Sequence, residues 1–508
     1  MKESKKLILE YNDGIKNKKD KIENNKINKD NKEYKGEQNL INHENKNNDI
    51  MNESNKNKIK NEINNNKNNL INQQKNNEIE NNLSKFNKIF QTNVKDYNIS
   101  QLYIDYKVMD LKINYLNLIE FTQLKKLALN NCKIVDINIL EKVKFKNLEL
   151  LEFQNNKIKD INVLEKVDFI NLKELKFNNN EISDINVLER VNFNQLDILR
   201  LSKNNISNIN VLEKVKFSLL QILDLQGNEI KDIKILEKAN FSQLKRLFIG
   251  DEYGDYHHYD NLHCRANSNN VSNINVFEKV NFKNLEILNL GKNQISNINV
   301  FEKVNFNNLE ILNLGKNQIS NIKVFEKVNF NKLSNLNLGY NEIKEIKVLE
   351  KAKFINLKYL ILEKNNISNI NALSNVNFTN LLSLDLSRNY ISDIQVLKEI
   401  KFNQLETLNL GYNKISDLNS LEKANLFKLK NLYLNNNKIS DIEVLERVKF
   451  TQLEILDLKD NKISNINVFE KINFNKIKAL NLSKNKIDKN GILLMIERSY
   501  KINIIFNE

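Results

Sequence analysis

A chain of 508 residues carries a formal net charge of +14, is 40% hydrophobic and contains neither Pro nor Trp. No run of about 18 apolar residues occurs, so a membrane-crossing helix is not expected. The apolar stretch at Leu7–Leu9 is too short for the core of a secretory leader. The only two cysteines, Cys132 and Cys264, lie far apart in sequence and suit a reducing compartment without structural disulfides, so the expectation is a cytoplasmic protein. The basic balance accompanies an excess of Asn, Lys, Ile, Phe and Tyr, the profile an AT-rich genome imposes. Lys and Glu also alternate instead of forming blocks, so a nucleic-acid partner is not expected.

Residues 1–84 are of low complexity and rich in Asn, as in NEINNNKNNLINQQKNNEIENN at 61–82. Such a stretch buries too little apolar surface to offset its backbone entropy, and composition predicts a disordered tail. Over 85–120 the pattern changes. LSKFNKIF (83–90) suits a short amphipathic helix, and Gln101–Ile119 reads as a degenerate repeat with Leu102, Ile104, Val108 and Leu111 at its apolar positions. That segment is the expected N-terminal cap, since the first layer of a repeat array must be shielded.

From Phe121 to about 489 one unit recurs fifteen times: F-x-x-L-x-x-L-x-L-x-x-N-x-I-x-x-I-x-V-L-E-K-V-x. Its period is 24 residues, except in the unit opening at Phe241 and in the last one. The consecutive units at Phe282 and Phe306 differ at two positions. The L-x-L segment alternates with period two, so it predicts a short strand with one buried face, stacked about 4.8 Å from the next in a parallel sheet. The Asn, as in Asn293 and Asn317, should end the strand and bond the loop backbones of its own unit and the next. Cys132 takes this place in the first unit. The opening Phe residues should stack as an apolar spine. The I-x-V-L-E-K segment predicts a short helix or 3-10 turn on the opposite, convex side. After Ile487 the pattern changes, with a helix expected at 492–500 and a strand at 502–506, forming a C-terminal cap over 490–508.

These residues resemble the leucine-rich repeat, whose signature is L-x-x-L-x-L-x-x-N/C-x-L. The core LNLGKNQISNINVF (288–301) is similar to the repeats of the protein phosphatase 1 regulatory subunit and of bacterial internalins, although the period here is 24. The resemblance implies an α/β solenoid with a curved parallel sheet on the concave face and short helices or 3-10 turns on the convex face. It also implies a non-enzymatic scaffold that binds a protein partner, with a phosphatase regulatory subunit or a surface adhesin as alternatives. A monomer without cofactor is expected. The strings Lys142-Val143-Lys144-Phe145, Arg190-Val191-Asn192-Phe193 and Arg447-Val448-Lys449-Phe450 imitate a phosphatase-docking peptide. Their Val and Phe fall on core positions of the unit, which is the preferred reading. No phosphate-binding loop, metalloprotease or nucleophile-elbow motif is present.

The central concave column includes Asp224, Phe248, Asn289, Ile361 and Tyr433, with Tyr340, Tyr359 and Tyr412 beside it; the aromatic members and Ile361 are candidate contact residues. The unit at Phe241 has 41 residues, 17 more than its neighbours. The extra segment at 250–268 carries Tyr253, Tyr256, His257, His258 and Tyr259, suited to a recognition loop on a rigid scaffold. His257, His258, His263 and Cys264 are potential metal ligands, but their spacing matches no established zinc motif. Deleting 251–267 is expected to abolish partner binding while leaving the thermal midpoint near that of the intact chain; unchanged affinity would sink the loop assignment.

Overall fold

In a computed structural model of the chain, the described residues are 53–90, 92, 94–95, 98–105, 113, 116, 121–251, 268–472, 476–487 and 503–505. The chain divides into a unit ending at Asn81 and a unit spanning Asn82–Glu508. The first contains most of a 38-residue helix, α1, Glu53–Phe90. Residues 53–84, assigned by composition to a disordered tail, are therefore helical. The segment contains no Gly or Pro to break a helix, and along it the described side chains are exposed on every side as far as Asn81.

The larger unit begins with the last two turns of α1. Phe86 and Phe90 are fully buried and stack at 4.3 Å, and Phe86 meets the edge of Phe121 at 5.3 Å. Asn87 closes the helix end, its side chain bonding both the N–H and the carbonyl of Val94. Next come β1, Gln101–Asp105, and β2, Lys126–Asn130, paired in parallel; Leu102 and Ile104 are buried. Val108 and Leu111 lie outside the described residues. Thereafter each unit contributes a strand of three residues, such as Ile287–Asn289, Ile311–Asn313 and Asn335–Asn337. Among the described residues the strands lie side by side in one parallel sheet of seventeen, in chain order, ending with Ala479–Asn481 and Asn503–Ile505. The expected helix at 492–500 lies outside the described residues.

Each strand residue pairs with the one a unit away, Leu288 with Leu312 and Leu312 with Leu336. The middle leucines are fully or almost fully buried. Opposite the sheet, each repeat before the last makes a 3-10 turn, for example Asn299–Glu302, because N-V-F-E is long enough for one turn and no more. The side chain of Asn297 accepts the N–H of Asn299 and so starts that turn. The opening phenylalanines form the expected spine, Phe121, Phe145 and Phe169 lying 6.4 and 6.5 Å apart. A second set from the 3-10 turns, Phe277, Phe301 and Phe325, interleaves edge-on with it. The docking-like strings are core: Phe145, Phe193 and Phe450 are buried.

The asparagine ladder is present, with one correction of direction. The Oδ1 of Asn317 accepts the N–H of Ile295 at 3.0 Å, and its Nδ2 donates to the carbonyls of Leu290, Leu314 and Gly315. The amide therefore joins its own unit to the preceding one, not to the next. The same pattern recurs at Asn341, Asn365, Asn389 and Asn413. Reaching inward requires a left-handed residue just before each Asn. Lys292, Lys316, Tyr340, Lys364, Arg388 and Tyr412 all have φ between 50° and 57°. A non-glycine residue costs about 1 kcal/mol there. An inter-unit hydrogen bond from its own N–H opposes that cost, as from Lys316 to the Gly339 carbonyl at 2.8 Å.

The long insertion leaves this ladder intact. Asn269 takes the ladder place, its Oδ1 accepting the Ile230 N–H and its Nδ2 donating to the Leu225 carbonyl. Gly250 passes so close to the Gly291 backbone that an added Cβ would lie 2.1 Å from its nitrogen. Glycine is therefore required where the insertion leaves the array.

Replacing Asn317 by Ala strands the buried N–H of Ile295 and the carbonyls it serves. Urea denaturation is expected to show a loss of about 2–4 kcal/mol, whereas Gln318→Ala, at an exposed neighbour, should change little.

Candidate functional site

The strands present their outer residues on one face, in two columns in register. The first column runs Ile198, Ile222, Arg246, Ile287, Ile311, Asn335, Tyr359. The second runs Arg200, Asp224, Phe248, Asn289, Asn313, Asn337, Ile361. Ile198, Ile222, Phe248, Ile287 and Ile311 are half-buried and form an apolar stretch interrupted by the exposed Arg246. Tyr359 is 42% exposed and Ile361 half-buried on the same strand; half-buried Tyr433 lies three units further on, between Asn409 and Asp457.

Asp224 and Asn289 depart from the expected open positions and are buried. Their short side chains fold back onto the chain two residues on. Asn289 Oδ1 accepts the N–H of Gly291 and also the Nδ2 of Asn313, each at 3.0 Å. Asn313, Asn337 and Asn409 cap the backbone in the same way. Much of the second column is thus used within the fold, and its longer side chains carry the available surface.

Tyr340 and Tyr412 do not lie on the strands. They occupy the left-handed position three residues past the strand, along the edge where the strands end. There they alternate with cations one unit apart. The ammonium groups of Lys316 and Lys364 sit over the Tyr340 ring at 5.4 and 4.7 Å. The Arg388 guanidinium lies 4.1 Å from the Tyr412 ring centre, and Lys414 lies 4.7 Å from that of Tyr390. The Glu363 carboxylate accepts the Tyr340 hydroxyl and the Arg388 Nε, both at 3.3 Å. Lys316, Tyr340, Lys364, Arg388, Tyr390 and Tyr412 line an open cleft of about 730 Å³, with Lys414 and Glu363 beside it. Sequence reading missed Tyr390, Lys364, Arg388 and Glu363. The signal was the 24-residue spacing of positions 316, 340, 364, 388 and 412, a column hidden because each residue alone reads as surface charge or surface aromatic.

Tyr253, Tyr256, His257, His258, Tyr259, His263 and Cys264 lie outside the described residues. Cys132 is a buried residue whose Sγ donates to the Asn130 carbonyl at 3.0 Å, and its backbone N–H bonds Asn156. Among the described residues no group of three or more His, Cys, Asp or Glu could hold a metal ion, and no helix is long and apolar enough to cross a membrane.

The family described as Leucine Rich repeats (2 copies) matches residues 379–423, 403–447 and 427–471. Among solved structures, a leucine-rich-repeat protein of Leptospira interrogans is similar at 23% identity with a TM-score of 0.59, over 81% of this chain and 90% of that one. A TDR receptor is similar at 17% identity with a TM-score of 0.50, over 77% and 69%. An internalin from Listeria monocytogenes is similar at 24% identity with a TM-score of 0.45, over 78% and 93%. No curated protein matches significantly. The fold is a leucine-rich-repeat solenoid: one curved parallel sheet backed by 3-10 turns.

Three carboxylates of the second strand column, Asp224, Asp385 and Asp457, have their pKa raised, chiefly by burial, against the lowering effect of hydrogen bonds from the chain two residues on. A carboxyl whose folded pKa exceeds its unfolded value of about 3.9 binds its proton more tightly in the fold. Its stabilising effect is complete below the unfolded pKa and is lost as pH rises through the folded pKa. Asp224→Asn keeps the acceptor for Gln226 and removes the ionised form, so it is expected to raise the thermal midpoint at neutral pH. That gain should shrink to near zero in melts at acid pH, where the wild-type carboxyl is protonated.

Proposed function

We propose that the chain is a non-enzymatic scaffold that binds a protein partner along its strand face and the adjoining edge. Leucine-rich-repeat folds are interaction modules, and the observation that carries this reading is the apolar stretch formed by Ile198, Ile222, Ile287 and Ile311 in one strand column and Phe248 in the adjacent one. Apolar side chains there are held half-exposed on a continuous sheet. The buried amide ladder satisfies the turning backbone before any partner arrives, so little ordering entropy remains to be lost on association. Tyr359, Ile361 and Tyr433 extend the same face and supply larger contact area. In this reading the protein acts as a monomer inside the cell, supported by its sparse, separated cysteines.

Capture with the immobilised full chain from native lysate is expected to retain a discrete partner. Phe248→Asp and the pair Tyr359→Ala with Ile361→Asp should each reduce its affinity by tenfold or more, about 1.4 kcal/mol or above. Equal retention by both variants would count against the strand face as the binding surface.

A further inference from the structure

Along the edge where the strands end, charge and aromatic area are concentrated in one place. Lys316, Lys364 and Arg388 line the cleft with Tyr340, Tyr390 and Tyr412, and Glu342 is the acidic residue among the lining side chains. Glu363, beside it, is engaged by Arg388 and the Tyr340 hydroxyl. The cleft is therefore net positive. Its cations are also held in place. Each lies over a tyrosine ring, and Arg388 is fixed from a second side by Glu363. A cation over a ring face keeps N–H donors for an anion while much of its rotamer freedom is already lost.

We propose that this cleft binds an extended segment of the partner protein rich in Asp and Glu. The proposal rests on the scaffold reading and names the chemistry of one part of the partner. The spacing selects the anion. Positions 316, 364 and 388 follow one another along a column with a repeat of about 4.8 Å, so they spread over about 14 Å. One phosphate group cannot engage cations so far apart. Carboxylates at alternate positions of an extended peptide, about 6.8 Å apart, can. The tyrosines argue in the same direction. A single-stranded nucleic acid would need free ring faces for its bases. Tyr340 carries one ammonium from the unit before and one from the unit after, while Tyr412 and Tyr390 carry Arg388 and Lys414. Those faces are occupied by cations, and the residues between the carboxylates would lie against ring edges.

The test is fluorescence anisotropy with the full chain and a labelled peptide of about twelve residues alternating Glu and Ala. A peptide with Gln for Glu and an oligothymidylate of similar length serve as comparison probes. The expected result is binding of the Glu peptide that weakens as salt rises and falls about tenfold or more in Lys364→Gln/Arg388→Gln. The same loss is expected in Lys316→Gln/Lys364→Gln, which removes two lining cations and leaves the Arg388–Glu363 pair in place. Gln is subject to the same left-handed backbone cost as the residues it replaces at 316, 364 and 388, and thermal melts check that both variants remain folded. Lys462→Gln/Lys486→Gln removes equal charge elsewhere in the array and should leave affinity unchanged. The cleft assignment is overturned by absence of Glu-peptide binding, an equal loss in that reference pair, equal affinity for the Gln peptide, or tighter binding of the oligothymidylate. A captured partner whose affinity falls in the strand-face variants but not in Lys364→Gln/Arg388→Gln would sink this proposal and leave the scaffold reading standing.

Discussion

The buried amide of one asparagine per repeat is the interaction on which the rest of the structure depends. A chain that turns inward after only three strand residues exposes N–H and carbonyl groups to an apolar core, where unpaired groups cost free energy. Asn317 satisfies one N–H and three carbonyls across two units. Without that, leucines at 288, 290, 312 and 314 could not approach closely enough to form a dry layer. The left-handed residue before each Asn, the short strand and the 3-10 turn all follow from bringing that amide inside.

The remaining interactions on the outside are weaker and more variable. Glutamates and lysines of successive 3-10 turns pair one unit apart, as Lys303 with Glu278 and Lys327 with Glu302, but these side chains are largely exposed and such pairs contribute little. At Ser374, Asn375, Lys398 and Glu399 the Glu-Lys pattern is replaced, and Asn375 bonds Glu350 instead. The fold continues through that stretch with its strand register unchanged. Surface ion pairs therefore decorate a frame already fixed by apolar layers and amides.

Legibility in the sequence followed the same division. Strand positions, the 3-10 turn, the phenylalanine spine and the bonding role of Asn317, though not which neighbouring unit it serves, could be read because each is dictated by burial at a fixed period. What could not be read was set by backbone conformation or local folding back. Asn289 looks like an open concave residue until its side chain is seen capping Gly291. Lys364 and Arg388 read as solvated charges until a left-handed turn places them beside Tyr340 and Tyr412. The helix over 53–84 was invisible for another reason: without an apolar face, its composition is the same as that of an unfolded chain.

The ladder also has a polarity. Each asparagine completes the backbone of the unit before it, as Asn317 does for Ile295 and Leu290. During synthesis a newly emerged repeat is therefore unfinished until the next asparagine leaves the ribosome, about 24 residues later. Consolidation then advances one repeat behind elongation, from the phenylalanine plug at Phe86 and Phe90 toward the C-terminus. The order of translation and the direction of the amide bonds are the same, so the nascent array need never expose more than one incomplete layer.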